Sequence, residues 1–93
     1  MTVGILKLVL FIHESNSLKA KRMALHSVKA RLRNNFNVAV TQIADEDKWQ
    51  KATLAVVGAE RSREKMNSVL SEVLNFVSGF HNLYIIEQEM ELI

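Results

Sequence analysis

The 93-residue chain, 48% hydrophobic and 24% charged, has room for one domain spanning residues 1–93 and excludes a multidomain enzyme. It has no cysteine, which excludes disulfides, thiolate metal sites and cysteine nucleophiles and points to a reducing cytoplasm. The net charge of +2 conceals two opposed halves: residues 1–44 carry seven Lys/Arg against the single acid Glu14, giving +6, and residues 45–93 carry five against nine Asp/Glu, giving −4. Such asymmetry suits a directional surface with one face turned to a polyanion.

In chain order, Thr2 to Ile12 is too rich in Val, Ile, Leu and Phe on consecutive positions for a surface helix. It is expected as a central strand buried on both faces. No basic region precedes it and no small-residue cleavage site follows, so a signal peptide is not expected, and no stretch reaches the roughly 18 apolar residues of a membrane span. The polar run His13 to Ser17 ends the strand, and Ser17 is placed to cap a helix reaching about Asn34. Leu18, Lys21, Leu25, Val28 and Leu32 share a sector of about 80° at the helical period, a core stripe with one lysine stem at its edge.

Phe36 to Ala44 has strand composition, Asp45-Glu46-Asp47-Lys48 breaks it, and a second strand-like run from about Gln50 to Ala59 completes a hairpin. From Arg61 to about Ser78, Met66, Val69, Leu70, Val73, Phe76 and Val77 recur at helical spacing. Gly79 is placed to stop this helix in the left-handed conformation that costs glycine least. In the last run, Tyr84, Ile86, Gln88, Met90 and Leu92 alternate with Ile85, Glu87, Glu89 and Glu91, the period of a strand with one wet face. Proline is absent and glycine occurs three times, so the elements are joined by short turns.

The order βαββαβ, with two right-handed crossovers and a hairpin between them, predicts an α+β ferredoxin-like sandwich: a four-stranded antiparallel sheet, strands 1 and 3 central, with both helices on one face. The bare face then shows Val3, Ile5, Lys7, Val9 and Phe11 beside the Glu87, Glu89 and Glu91 stripe. Four large apolar residues on an open face form a patch of the kind monomers usually cover, so a homo-oligomer interface is expected there, with Lys7 pairing with a partner's glutamates.

The first helix carries a second surface. Lys19, Arg22, His26, Lys29 and Arg33 are spaced three and four apart and line one edge for about 21 Å with no acid among them. Lys19, Lys21 and Arg22 crowd the helix N-terminus, where the macrodipole disfavours cations by about 0.3–1 kcal/mol each. Ser17, Lys19, Lys21, Arg22, His26, Lys29 and Arg33 are therefore candidate anion-binding residues, facing RNA phosphates. A plain solvated face, its long stems covering apolar surface, is the competing reading.

The stretches Ser17-Leu18-Lys19-Ala20-Lys21-Arg22, Arg31 to Val40 and Asp47-Lys48-Trp49-Gln50 closely resemble the DUF503, or YlxP-like, family of small bacterial proteins. The resemblance covers nearly the whole chain and implies the same ferredoxin-like fold. It implies little about activity, because the family is largely uncharacterised. Its genes often lie near those of transcription–translation factors and ribosome-binding factor A, an association that favours RNA or the ribosome as partner. Ala20 stands where the family commonly has the Glu that would complete a capping box with Ser17, which leaves this helix start more basic.

Trp49, the one tryptophan, lies between Lys48 and Gln50; it either stacks on a base or anchors the hairpin or a subunit boundary. Asp45, Glu46 and Asp47 lack the spacing and glycine of a calcium loop and are explained by turn chemistry. His13, His26 and His81 have no metal-ligand spacing, and the His13, Glu14, Ser15, Ser17 group resembles any polar loop after a strand. No nucleophile elbow, P-loop or dinucleotide fingerprint occurs. No catalytic residue, metal or cofactor is expected. The sequence thus reads as a small non-enzymatic RNA- or ribosome-binding accessory protein, or as a homo-oligomeric interaction module built on the bare sheet face.

Overall fold

Val, Leu and Ile at nearly every position from Val3 to Ile12 make the first strand the one that other strands flank. In the computed structural model, which describes residues 1–13 and 15–93, it is β1, Thr2–Ile12. The chain continues through α1 (Leu18–Asn35), β2 (Ala39–Ala44), β3 (Lys51–Glu60), α2 (Arg63–Ser78) and β4 (Leu83–Leu92). The strands form one antiparallel sheet in the order β2-β3-β1-β4, with β1 and β3 central. The expected α+β ferredoxin-like topology is the observed one.

Alternation along β1 divides the two faces. Leu6, Leu8, Leu10 and Ile12 are buried in the core with Leu54 and Val56 of β3, Leu25, Val28 and Leu32 of α1, and Met66, Leu70, Val73 and Val77 of α2. Gly4 and Gly58 face each other across β1 and β3, and Met66 lies over both. A Cβ on Gly4 would stand 2.5 Å from Met66 Cγ and 2.8 Å from Leu70 Cδ1, so the missing side chain is what lets α2 approach the sheet. Burial of β1 on both faces holds only in part: Val9 is buried, Val3, Ile5 and Phe11 are half-buried, and Lys7 is exposed.

Several boundaries differ from the sequence expectation for identifiable reasons. Phe36 does not open β2. Its N–H donates to Leu32 O as the C-cap of α1, and its ring meets Phe76 edge to face at 5.5 Å. The second helix starts at Arg63 because the Ser62 hydroxyl accepts the Lys65 amide at 3.1 Å. Gly79 does cap this helix, but with right-handed backbone (φ −81°, ψ −7°), so the left-handed argument for it fails. The left-handed residue among those described is Asp45, at φ 66°.

Strict alternation in β4 also fails. The register against β1 shifts after Val9↔Glu87 to Leu10↔Ile85, leaving Ile86 as an extra residue. Ile85 and Met90 consequently both pack against the core, although five residues apart. The bulge also changes which residues accompany the glutamates outward: Tyr84 faces Phe11, Glu87 faces Val9, Glu89 faces Lys7 and Glu91 faces Ile5.

Candidate nucleic-acid interface

Helix α1 begins where the Ser17 hydroxyl accepts the Ala20 amide at 3.0 Å and the Ser17 carbonyl accepts the Lys21 amide at 3.1 Å. Ser17 thus serves the helix as its N-cap. No acid occupies the first turn. The two flanks of the helix have different jobs. On one flank the Arg31 guanidinium lies 4.2 Å from the Phe80 ring centroid and 5.8 Å from that of Phe76, clamping α1 to the end of α2. On the other flank lies the basic row, whose last residue, Arg33, donates to Val40 O of the edge strand β2 at 2.8 Å.

Within that row Lys19, Arg22, His26 and Arg33 are exposed and Lys29 is half-buried. Arg22 is steadied by a bond from its Nε to Leu18 O at 3.3 Å. Lys19, Arg22, Met23 and His26 border an open depression of about 650 Å³. Arg33 retains further guanidinium donors beyond the one given to Val40. The row therefore presents four cations, two of them held by hydrogen bonds, and one histidine along a single helix edge.

Lys21 does not belong to this surface. Only 2% of it is exposed, and its ammonium donates to the carbonyl oxygens of Asp45 and Lys48. The expectation that it contacts phosphate is corrected by its reach: the four-carbon stem lies in the core stripe, and two of the three ammonium donors hold the β2–β3 turn. Burial pushes its ammonium below the ordinary lysine value, against the opposing effect of the Asp45, Asp47 and Glu46 carboxylates.

The acidic turn is a structural device. The Thr53 hydroxyl donates to Asp45 Oδ2 at 2.7 Å, and the Lys48 amide donates to Asp45 O at 3.2 Å. The Thr53 bond holds the Asp45 carboxyl below its ordinary value, helped by Lys51, Lys48 and Lys21 and opposed by partial burial. Among the described residues no group of three or more His, Asp and Glu is arranged to hold a metal ion.

Trp49 is 56% exposed, and the turn that carries it is held by Lys21 through the Lys48 carbonyl. The bare sheet face carries Val3, Ile5, Lys7, Val9 and Phe11 as the alternation requires, with Ala55 and Val57 of β3 alongside and Glu87, Glu89 and Glu91 on β4. Phe11 is set apart from the aliphatic residues. Its ring stacks on Tyr84, centroids 5.2 Å apart and planes 29° apart, and His13 lies 5.5 Å from Phe11 and 5.1 Å from Tyr84. Sequence reasoning passed over Tyr84 and His13 as an aromatic group, because only the bulge at Ile86 brings Tyr84 into line with Phe11. Glu14 lies outside the described residues, so the polar group around His13 is described only in part.

The family model described as "Protein of unknown function (DUF503)" matches residues 3–90. The chain is also similar to a Bacillus subtilis (strain 168) protein called "Uncharacterized protein YlxP", at 31% identity over 78 residues, covering 84% of this chain and 85% of that protein. No helix is long and apolar enough to cross a membrane among the described residues.

Proposed function

The chain belongs to the DUF503 family, and we propose that it is a small non-enzymatic accessory protein that binds RNA or ribosomal particles through the basic edge of α1. The observation that carries this reading is the row of Lys19, Arg22, Lys29 and Arg33, with His26, all on one flank and with no acid in the first turn. A helix shaped by stability alone would place Asp or Glu there, where the dipole rewards them. The row extends for about 21 Å, enough to meet several consecutive phosphates of an RNA backbone, and each phosphate neutralised releases counterions. Crosslinking followed by co-purification from cells tests it. RNA or ribosomal particles are expected with the wild-type protein and are expected to be lost with Arg22→Glu plus Lys29→Glu. Recovery of wild-type protein free of RNA would overturn the proposal.

A second reading, compatible with the first, rests on the aliphatic band formed by Val3, Ile5, Ala55 and Val57 on the face opposite the helices. We propose that a second copy covers it, with Lys7 meeting the partner's glutamate row around a two-fold axis. Sedimentation at micromolar concentration is expected to show a dimer that Ile5→Lys dissociates; a wild-type monomer would contradict it.

A further inference from the structure

The end of the bare face carries a feature that neither the basic helix edge nor the aliphatic band accounts for. Lys51, Phe11 and Tyr84 stand in one line across β3, β1 and β4, and His13 closes the group beyond Phe11. The Phe11 and Tyr84 rings stack with their planes 29° apart, yet Tyr84 is 50% exposed and His13 is exposed. A stacked pair with one ring half exposed on the open side of the sheet is in a geometry that another flat ring continues.

The surrounding charges say what kind of ring. On one side the line ends in Lys51, and Lys48 and the exposed Trp49 follow on the adjoining turn. On the other side, Glu87, Glu89 and Glu91 line the face next to Val9, Lys7 and Ile5. A chain of phosphates is repelled along that glutamate row and attracted toward Lys51 and Lys48. The same turn carries the Lys48 carbonyl that Lys21 of α1 grips, so it adjoins the start of the basic edge. An occupant that is aromatic at the platform and anionic along its backbone, leaving toward this turn, has the chemistry of a single-stranded nucleic acid.

We propose that Phe11, His13 and Tyr84 form a stacking platform for one or two unpaired bases of an RNA strand whose phosphates continue past Lys51 and Lys48 to α1. This rests on the RNA reading of α1 and adds to it a preference for unpaired over duplex RNA. The glutamate row limits the platform to the sheet end. Base stacking is insensitive to salt, whereas phosphate contacts are not, so the two surfaces separate experimentally.

Fluorescence anisotropy with an unstructured single strand, and with the same strand annealed to its complement, tests the platform over a range of salt. The wild-type protein is expected to prefer the single strand. Tyr84→Leu is expected to weaken single-strand binding about tenfold while leaving the salt slope and duplex affinity unchanged, and Tyr84→Phe to retain wild-type affinity. Unchanged single-strand affinity in Tyr84→Leu, with duplex binding intact, would overturn the platform and leave the α1 reading standing. No binding of either nucleic acid would overturn both. A change in sedimentation of the free protein on Tyr84→Leu would give the rings to a protein contact and overturn the platform.

Discussion

The Lys21 ammonium donates a hydrogen bond to the Asp45 carbonyl oxygen, joining the first turn of α1 to the residue that bends the β2–β3 turn through left-handed backbone. A second bond to Lys48 O completes the grip. Lys21→Met keeps the buried stem and strips both bonds from the turn carbonyls. It is expected to cost about 1–3 kcal/mol in urea unfolding, with RNA affinity of the folded variant unchanged. A loss of RNA affinity without loss of stability would return Lys21 to the binding surface.

Asp45 gives the turn a pH dependence of known sign. Its carboxyl is held below the ordinary 3.8, so its contribution is complete above that value and is lost as pH falls through the folded-state value. Thr53→Val removes the principal cause. The variant is expected to be less stable than wild type at neutral pH and to show a shallower fall in stability below about pH 4, measured by thermal melts across acid pH. Parallel acid limbs would contradict this account.

Gly4→Ala tests the approach of α2 to the sheet. The new methyl would meet Met66 Cγ and Leu70 Cδ1 inside contact distance, so a loss of about 1–3 kcal/mol is expected. Gly58→Ala is expected to cost less, because its nearest neighbour is the flexible end of Met66 at 3.0 Å. Equal losses in chemical denaturation would show that the slot is not set by Met66.

How far the sequence revealed this structure depended on whether a feature was periodic or relied on pairing. The buried residues of β1 and α1 follow from spacing alone, as does the Ser17 cap. The end of β4 does not, since a bulge leaves the glutamate, Gln and Met pattern of the strand looking regular while shifting Tyr84 and Ile85 by one position. Lys21 was legible as a stripe residue but not as a turn anchor, because its partners are carbonyls 24 and 27 positions away. The glycine stop of α2 was legible in place and not in conformation, because Gly79 ends the helix on bonds from its own N–H to Phe76 O and Val77 O without a left-handed step.

Arg31 separates charge from location. It is as cationic as its neighbours but is spent on the Phe80 ring on the flank facing α2. Arg31→Gln is expected to lower stability by about 0.5–1 kcal/mol and to leave RNA affinity at wild-type level. If it weakened RNA binding as much as Arg22→Gln, the cations would be acting as a diffuse cloud and not as an edge.

The most direct measurement is the salt dependence of wild-type binding to a structured RNA, compared with that of Arg22→Glu plus Lys29→Glu. Contacts from Lys19, Arg22, Lys29 and Arg33 predict a log–log slope of about −3 for the wild type, falling by roughly half in the variant. No salt-dependent binding at low ionic strength, or the same slope in both proteins, would contradict the assignment of the α1 edge to RNA.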